Sequence, residues 1–450
     1  MAKINFKDEF YTTLKKLVIP ITIQNFMLAL VSATDAVMLG ALDQNSMASA
    51  SLAGQVQFIL NLFIVGISAG MGVMVAQYWG KNDGDTIEKV IPIALRFNLT
   101  GGLLFTAAAL FAPNRLMGIL TNDAGIIKTG SEYLTAVALS YCLCAVSQVY
   151  LNILKNTGFT HISSRISSLA VVVNIILNAV LIFGIGPIPA MGVKGAAYAT
   201  TLARSFELIY AIIESSKEGR VHIHWSRFFV SAGKELNSDF LSYSSPVLWA
   251  ALVWGVAFSS YTVVLGHMGE DAVAANSLTA ISRNLLACLA HGMSGGTGIM
   301  IGNLLGAGEI KKAKEWGNRL VKLSAIIGVI LGLVLIAISP LIVMFANVTE
   351  QAAQYLKYML VISAFNLMAM SVNTVVLDGI ACAGGDAAFD MKGNIFAMWL
   401  FGVPLSFLAA FVLKWPVMVV YLCANLDEIC KLPFMIIHHC KYVWLRNITR

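Results

Sequence analysis

Few side chains in this sequence could do chemistry in an apolar setting, and Asp35 is the first of them. It lies in LVIPITIQNFMLALVSATDAVMLG, a run with no other ionisable group. An acid at membrane depth costs about 2.5–3.5 kcal/mol on insertion scales, so it has to meet a cavity, a proton, a cation or a donor. Farther along, VVVNIILNAVLIFG sets Asn174 and Asn178 four apart, on one face of a helix. One acid and two amides supply an oxygen set that could hold a small cation. The same amides would serve equally well as hydrogen-bonding links between helices. GVKGAAYATTLAR adds Thr200 and Thr201, of which one could join the group, and NTVVLDG places Asn373 and Asp378 as a second candidate site.

Other ionisable groups read as structural. Arg204 and Glu207 are three apart and suit a local ion pair. His291 fits a satisfied structural histidine, and Arg96 and Arg283 are expected to snorkel or pair. The seven cysteines contain no CxxC and lie almost wholly in apolar segments, which suggests buried free thiols. The chain has no Walker GxxxxGK[ST] stretch and no HExxH helix, and no nucleophile elbow is expected. Direct ATP-powered work and hydrolytic chemistry are therefore disfavoured.

The elements that position these residues follow from composition. Hydrophobic residues make up 58% and charged ones 12%, against about 25% charged in a soluble domain. Such a chain needs lipid as its solvent. Apolar windows mark twelve spans: 14–40, 47–78, 88–112, 129–154, 162–184, 192–214, 241–266, 272–304, 317–339, 352–382, 390–412 and 416–437. The opening MAKINFKDEFYTTLKK is basic like a signal peptide, but Asp8, Glu9 and the long apolar run behind it favour a first transmembrane helix.

The net charge of +6 is spread over alternate loops rather than one stripe, so no nucleic-acid partner is expected. One set of loops holds Lys3, Lys15, Lys16, Lys81, Lys89, Lys155, Arg165, Lys217, Arg220, Arg227, Lys234, Lys311, Lys312, Lys392, Lys431, Lys441 and Arg450, among others. The opposite set holds little beyond Arg115, Lys128, Lys194 and Lys414. By the positive-inside rule both termini are expected in the cytoplasm.

The spans repeat. A shift of 226 carries Pro20 to Pro246, Gly40 to Gly266, and Ser51–Leu52 to Ser277–Leu278. It also carries Gly66, Gly70, Gly72 and Gly80 onto Gly292, Gly296, Gly298 and Gly306. Six spans per copy is even, so the copies enter the membrane in the same direction. The expectation is an all-α polytopic membrane protein of twelve helices in two pseudo-symmetric six-helix lobes. The N-lobe covers 1–214, a cytoplasmic linker 215–240, the C-lobe 241–437, and a cytoplasmic tail 438–450. The glycines, four apart in GISAGMG and GMSGGTG, suggest close packing inside each lobe. The shift puts Tyr261 opposite Asp35, so ion handling is expected on the N-lobe side.

These features resemble the multidrug and toxic compound extrusion (MATE) transporters over nearly the whole chain. The resemblance rests on Pro20, TDAVMLG, SLAGQ (51–55), the Gly66–Gly72 cluster followed by AQYWGKND, NIILNAVLIFG, GVKGAAYAT, and FGVPL (401–405). It implies export of small amphipathic, often cationic, compounds in exchange for H+ or Na+, with no further cofactor. It implies a plasma (inner) membrane setting, and the chain is expected to act as a monomer. By resemblance Asp35 is the N-lobe ion or proton site, with Asn174, Asn178 and a sixth-helix threonine around it. Many relatives have Asp where this chain has Asn178. Another branch uses a seventh-helix Glu and a tenth-helix Asp; here the seventh helix has no acid and the tenth-helix position is Asn373. A lipid-linked oligosaccharide flippase is the alternative reading, and a membrane-embedded enzyme a remote one.

Overall fold

The computed structural model describes residues 6–186, 188–223, 226, 228, 233–346 and 348–449, and these hold helices and no strand. Lys3, Arg227 and Arg450, counted above among the loop cations, lie outside the described residues. The first half contains α1 (Phe6–Gly40), α2 (Gln44–Gly80), α3 (Gly84–Phe111), a short α4 (Pro113–Leu120), α5 (Ala124–Asn156), α6 (Thr160–Phe183) and α7 (Gly192–Ser215). The second half contains α8 (Lys234–Gly266), α9 (Glu270–Gly306), α10 (Ile310–Phe345), α11 (Glu350–Thr374), α12 (Ala387–Asn394), α13 (Val403–Phe407), α14 (Val417–Ala424) and α15 (Leu426–Cys440). Three π-helical stretches interrupt it: Val375–Ala381 after α11, Ile395–Gly402 after α12, and Leu408–Val412 after α13.

All twelve expected spans are helical, and most helices run a turn or more past the apolar window. A helix stays hydrogen-bonded beyond the lipid, so hydropathy marks the core of the span rather than its end. Among the described residues, ten helical stretches are long and apolar enough to cross a bilayer. Of the other two spans, α7 is diluted by Lys194, Arg204, Glu207 and Glu214, and the last is cut at Asn425 into α14 and α15. The short α4 was not foreseen; its helix opens with Pro113 at the first position, where a missing N–H costs nothing.

Backbone contacts group the chain into two compact units: Met1–Thr22, Ala76–Asn82 and Trp249–Arg450, and Ile23–Val75 with Asp83–Leu248. In the second of these, α5 packs on α3, α4, α6 and α7 around Leu134, Val137, Ala138, Tyr141 and Ala145. In the first, α9, α10 and α11 enclose Leu335, Leu356, Met359, Leu360 and Leu367.

The glycine faces correct one expectation, because they do not pack within their own six-helix half. Gly66 and Gly70 of α2 lie against Leu248 and Ser244 of α8, so closely that a Cβ on either would overlap the α8 backbone. Gly292 and Gly296 of α9 lie against Thr22 and Val18 of α1. Each partner pair is itself related by the shift of 226. The same reciprocity links Gly80 to Asn303 and Gly306 to Gln77, where a Cβ would strike a carbonyl oxygen. Residue i thus meets j′ while j meets i′. GISAG and GMSGG satisfy the letters of a GxSxG nucleophile elbow. Both lie mid-helix rather than at a strand-to-helix turn, so the elbow chemistry has no frame.

The cysteines are free, yet only Cys144, Cys288 and Cys382 are buried; Cys142, Cys423 and Cys430 are half-buried and Cys440 is exposed. Cys440 closes α15, beyond the apolar stretch, so no packing covers it.

Candidate functional site

On α1, the half-buried Asp35 faces α6. Asn178 Nδ2 donates to Asp35 Oδ1 at 2.5 Å and to Asn174 Oδ1 at 3.2 Å. One amide nitrogen thus bridges the acid and the other amide, as the four-residue spacing allows. Asn178 is fully buried, and its own Oδ1 has no hydrogen-bond partner. A buried acceptor left without a donor is costly, so that oxygen is suited to receive a cation or a protonated group.

Thr200 makes no hydrogen bond to this group: its Oγ1 donates at 3.0 Å to the Ala196 carbonyl of its own helix. A residue the sequence reading missed, Tyr133, stands within electrostatic reach of Asp35. Two turns on, Tyr141 buries a hydroxyl with no partner. The available signal was two tyrosines eight apart in an otherwise apolar span, whose O–H groups must find partners in lipid. Thr201 instead donates to the Ala197 and Ala136 carbonyls and so braces α7 against α5.

The Arg204–Glu207 pair forms at 2.6 Å, with Glu207 only 2% exposed. Ser147 Oγ also donates to Glu207, at 3.0 Å, so the pair is anchored to α5 rather than being local alone. Among the described residues no three His, Cys, Asp or Glu side chains are placed to hold a metal ion.

In the second half Asn373 and Asp378 meet different partners. Asn373 Nδ2 donates to the Glu428 carbonyl at 2.7 Å and to Glu428 Oε2 at 2.8 Å. Asp378 lies in the π stretch and is within electrostatic reach of Asp390, Glu428 and Lys431. Lys431, counted above with the loop cations, is instead buried to 3% exposure. Its Nζ donates to Glu428 Oε1 at 2.6 Å and to Asn394 Oδ1 at 3.1 Å, and Asn394 Nδ2 donates to Asp390 Oδ1 at 2.9 Å. The missed signal was LDEICK (426–431), three charges inside the last span.

Comparison with known proteins agrees with this architecture. The MatE family model matches residues 20–180 and again 246–408. The two starts are Pro20 and Pro246, the pair that set the shift of 226. The uncharacterized transporter YisQ of Bacillus subtilis is 24% identical over 86% of this chain and 85% of its own. The probable multidrug resistance protein YoeA of the same organism is 23% identical over 87% and 85%. A mutant of the Vibrio cholerae MATE transporter VcmN superposes with a TM-score of 0.88 at 17% identity, covering 97% of each chain, a likeness of fold. The twelve-helix, two-copy reading and the transporter rather than enzyme class follow, and the chain belongs to the MatE family of multidrug and toxic compound extrusion transporters.

Proposed function

We propose that this chain is a secondary active antiporter that exports small amphipathic or cationic compounds in exchange for H+ or Na+. The observation that supports it most directly is the Asp35–Asn178–Asn174 chain, an acid at membrane depth with a buried, unpartnered amide oxygen beside it. When Asp35 takes up a proton or cation, its charge no longer needs the Asn178 donor. Differential binding of the ion then biases α1 against α6 between two arrangements, and release of the exported compound follows from the changed cavity. Asn174, Asn178 and Thr200 position this exchange. No cofactor takes part beyond the coupling ion, the working unit is a monomer, and it sits in the plasma (inner) membrane with both termini cytoplasmic.

The test is dye efflux from everted vesicles with sodium and proton gradients imposed separately. One of the two gradients should drive efflux in the wild-type protein, and neither should in Asp35→Asn. Gradient-driven efflux at the wild-type rate by Asp35→Asn refutes the assignment.

A further inference from the structure

A cavity of about 650 Å³ opens beside the starts of α4, α5 and α7. Asn114 of α4 lines it, with Lys128, Ser131 and Glu132 of α5 and Lys194 and Tyr198 of α7. Its volume falls in the range of small-molecule sites, about 300–1,000 Å³. Helical period explains the lining. Positions 128, 131, 132 and 135 follow the i, i+3, i+4, i+7 spacing and share one face of α5, and 194 and 198 share one face of α7. By the same period this face of α5 is turned away from Tyr133 and Tyr141, so the cavity is separate from the Asp35 group.

Its electrostatics favour an anion. Lys194 Nζ stands 3.4 Å from Glu132, while Lys128 has no ion-pair partner among the described residues, so the lining carries one net positive charge. Pro113 and Ala124, the first residues of α4 and α5, and Lys194, the third of α7, bring three helix N-termini to the cavity. Each carries roughly half a positive charge. Asp123 already accepts from the Ile126 N–H at the start of α5, whereas α4 and α7 begin without a side-chain cap. Ser131 is an independent pointer to a ligand. It is 7% exposed and its Oγ has no hydrogen-bond partner. Thr135, on the same face, instead donates to the Ser131 carbonyl at 2.9 Å, the common outlet for a helical hydroxyl. Both lysines also lie on the side of the membrane that is poor in cations, so they are not part of a general basic face.

The surroundings indicate which anion. Phe111 at the end of α3 and Ile119 on α4 are 87% and 80% exposed, so the flank of α4 is built to meet hydrocarbon. We propose that the cavity binds the phosphodiester head group of an anionic phospholipid. Lys128 and Ser131 hold phosphate oxygens, Asn114 and Tyr198 meet the rest of the head group, and the acyl chains lie along Phe111 and Ile119. A phosphodiester carries one negative charge, which the lining's single net positive charge matches. Glu132 keeps Lys194 from adding a second. An occupied site ties α4 to α5 and α7, and it can be filled whether or not Asp35 couples transport.

The test is binding of short-chain phosphatidylglycerol to the purified full-length protein in detergent, read by native mass spectrometry and by the unfolding midpoint. Phosphatidylglycerol should bind and raise the midpoint, while phosphatidylcholine of the same chains and inorganic phosphate should bind far more weakly. Lys128→Gln and Ser131→Ala should each weaken phosphatidylglycerol binding by about tenfold or more, the loss of one bond to a charged group. Neither change strands a partner, so both variants should fold with the wild-type midpoint when no lipid is added. Lys414→Gln removes a cation from the same side of the membrane but not from the cavity, and should bind as the wild type does. The proposal is overturned by equal stabilisation with phosphatidylcholine or with inorganic phosphate. It is also overturned by unchanged affinity in both Lys128→Gln and Ser131→Ala, or by an equal loss in Lys414→Gln.

Discussion

Asp35→Asn separates a working acid from a structural one, because the two readings predict opposite changes in stability. In the wild-type protein the carboxylate costs about 2.5–3.5 kcal/mol at membrane depth. The bond from Asn178 at 2.5 Å returns about 1.5–3 kcal/mol, as bonds to charged groups do. An asparagine of the same shape drops the charge cost and keeps a neutral bond of about 0.5–1.5 kcal/mol. The variant should therefore be as stable as the wild type, or more stable by up to about 3 kcal/mol. A purely structural acid, held for its hydrogen bond, would instead make the variant about 1–3 kcal/mol less stable. Thermal unfolding of the purified protein in detergent reads this directly, and proteoliposomes from the same preparation read efflux. The expected result is an unchanged or raised midpoint with efflux lost. A lowered midpoint with efflux retained would refute the reasoning on both counts.

Asn178→Asp would set a second carboxylate against Asp35, and two such groups cannot both ionise; efflux should then persist to higher pH than in the wild type, as a pH series of vesicle assays would show. Arg204→Met strands the buried Glu207 and should cost about 3–5 kcal/mol, with Glu207→Gln in the same chain restoring most of the unfolding midpoint. Gly306→Ala drives a methyl into the Gln77 carbonyl and Gly80→Ala into that of Asn303, each costing about 1–3 kcal/mol by overpacking. Gly54→Ala, on the same α2 with open space around it, should leave the midpoint unlowered. Ser46 donates twice to Asp43 at the start of α2, from its N–H at 2.7 Å and its hydroxyl at 2.6 Å, and these bonds hold the exposed Asp43 carboxyl below its ordinary value. That contribution is present above the ordinary carboxylate range near pH 4 and is lost as pH falls through the lowered value. Hydrogen exchange at Asn45–Met47 should be faster in Asp43→Ala at neutral pH, with the difference vanishing in acid.

The sequence by itself determined where the chain crosses the membrane, that it is a duplication, and which acid stands alone in the first half. All three are one-dimensional signals: apolar windows about 20 residues long, a fixed shift, and a charge with no neighbour in its run. The spacing of Asn174 and Asn178 was legible for the same reason, since helical period alone puts them on one face. What only the tertiary structure decided is which surfaces meet. Gly66 and Gly292 looked like contacts within a half, yet they close on α8 and α1, because packing in lipid selects any backbone that approaches closely enough. Asn178 joined Asp35 to Asn174 across helices far apart in the chain. The burial of Lys431 was hidden because the last span breaks at Asn425, and hydropathy averages over a break that packing and hydrogen bonding create. Lys431 of LDEICK was therefore counted with the loop cations although it lay inside the 416–437 span, whereas the fold turns it inward onto Asn394 and Glu428.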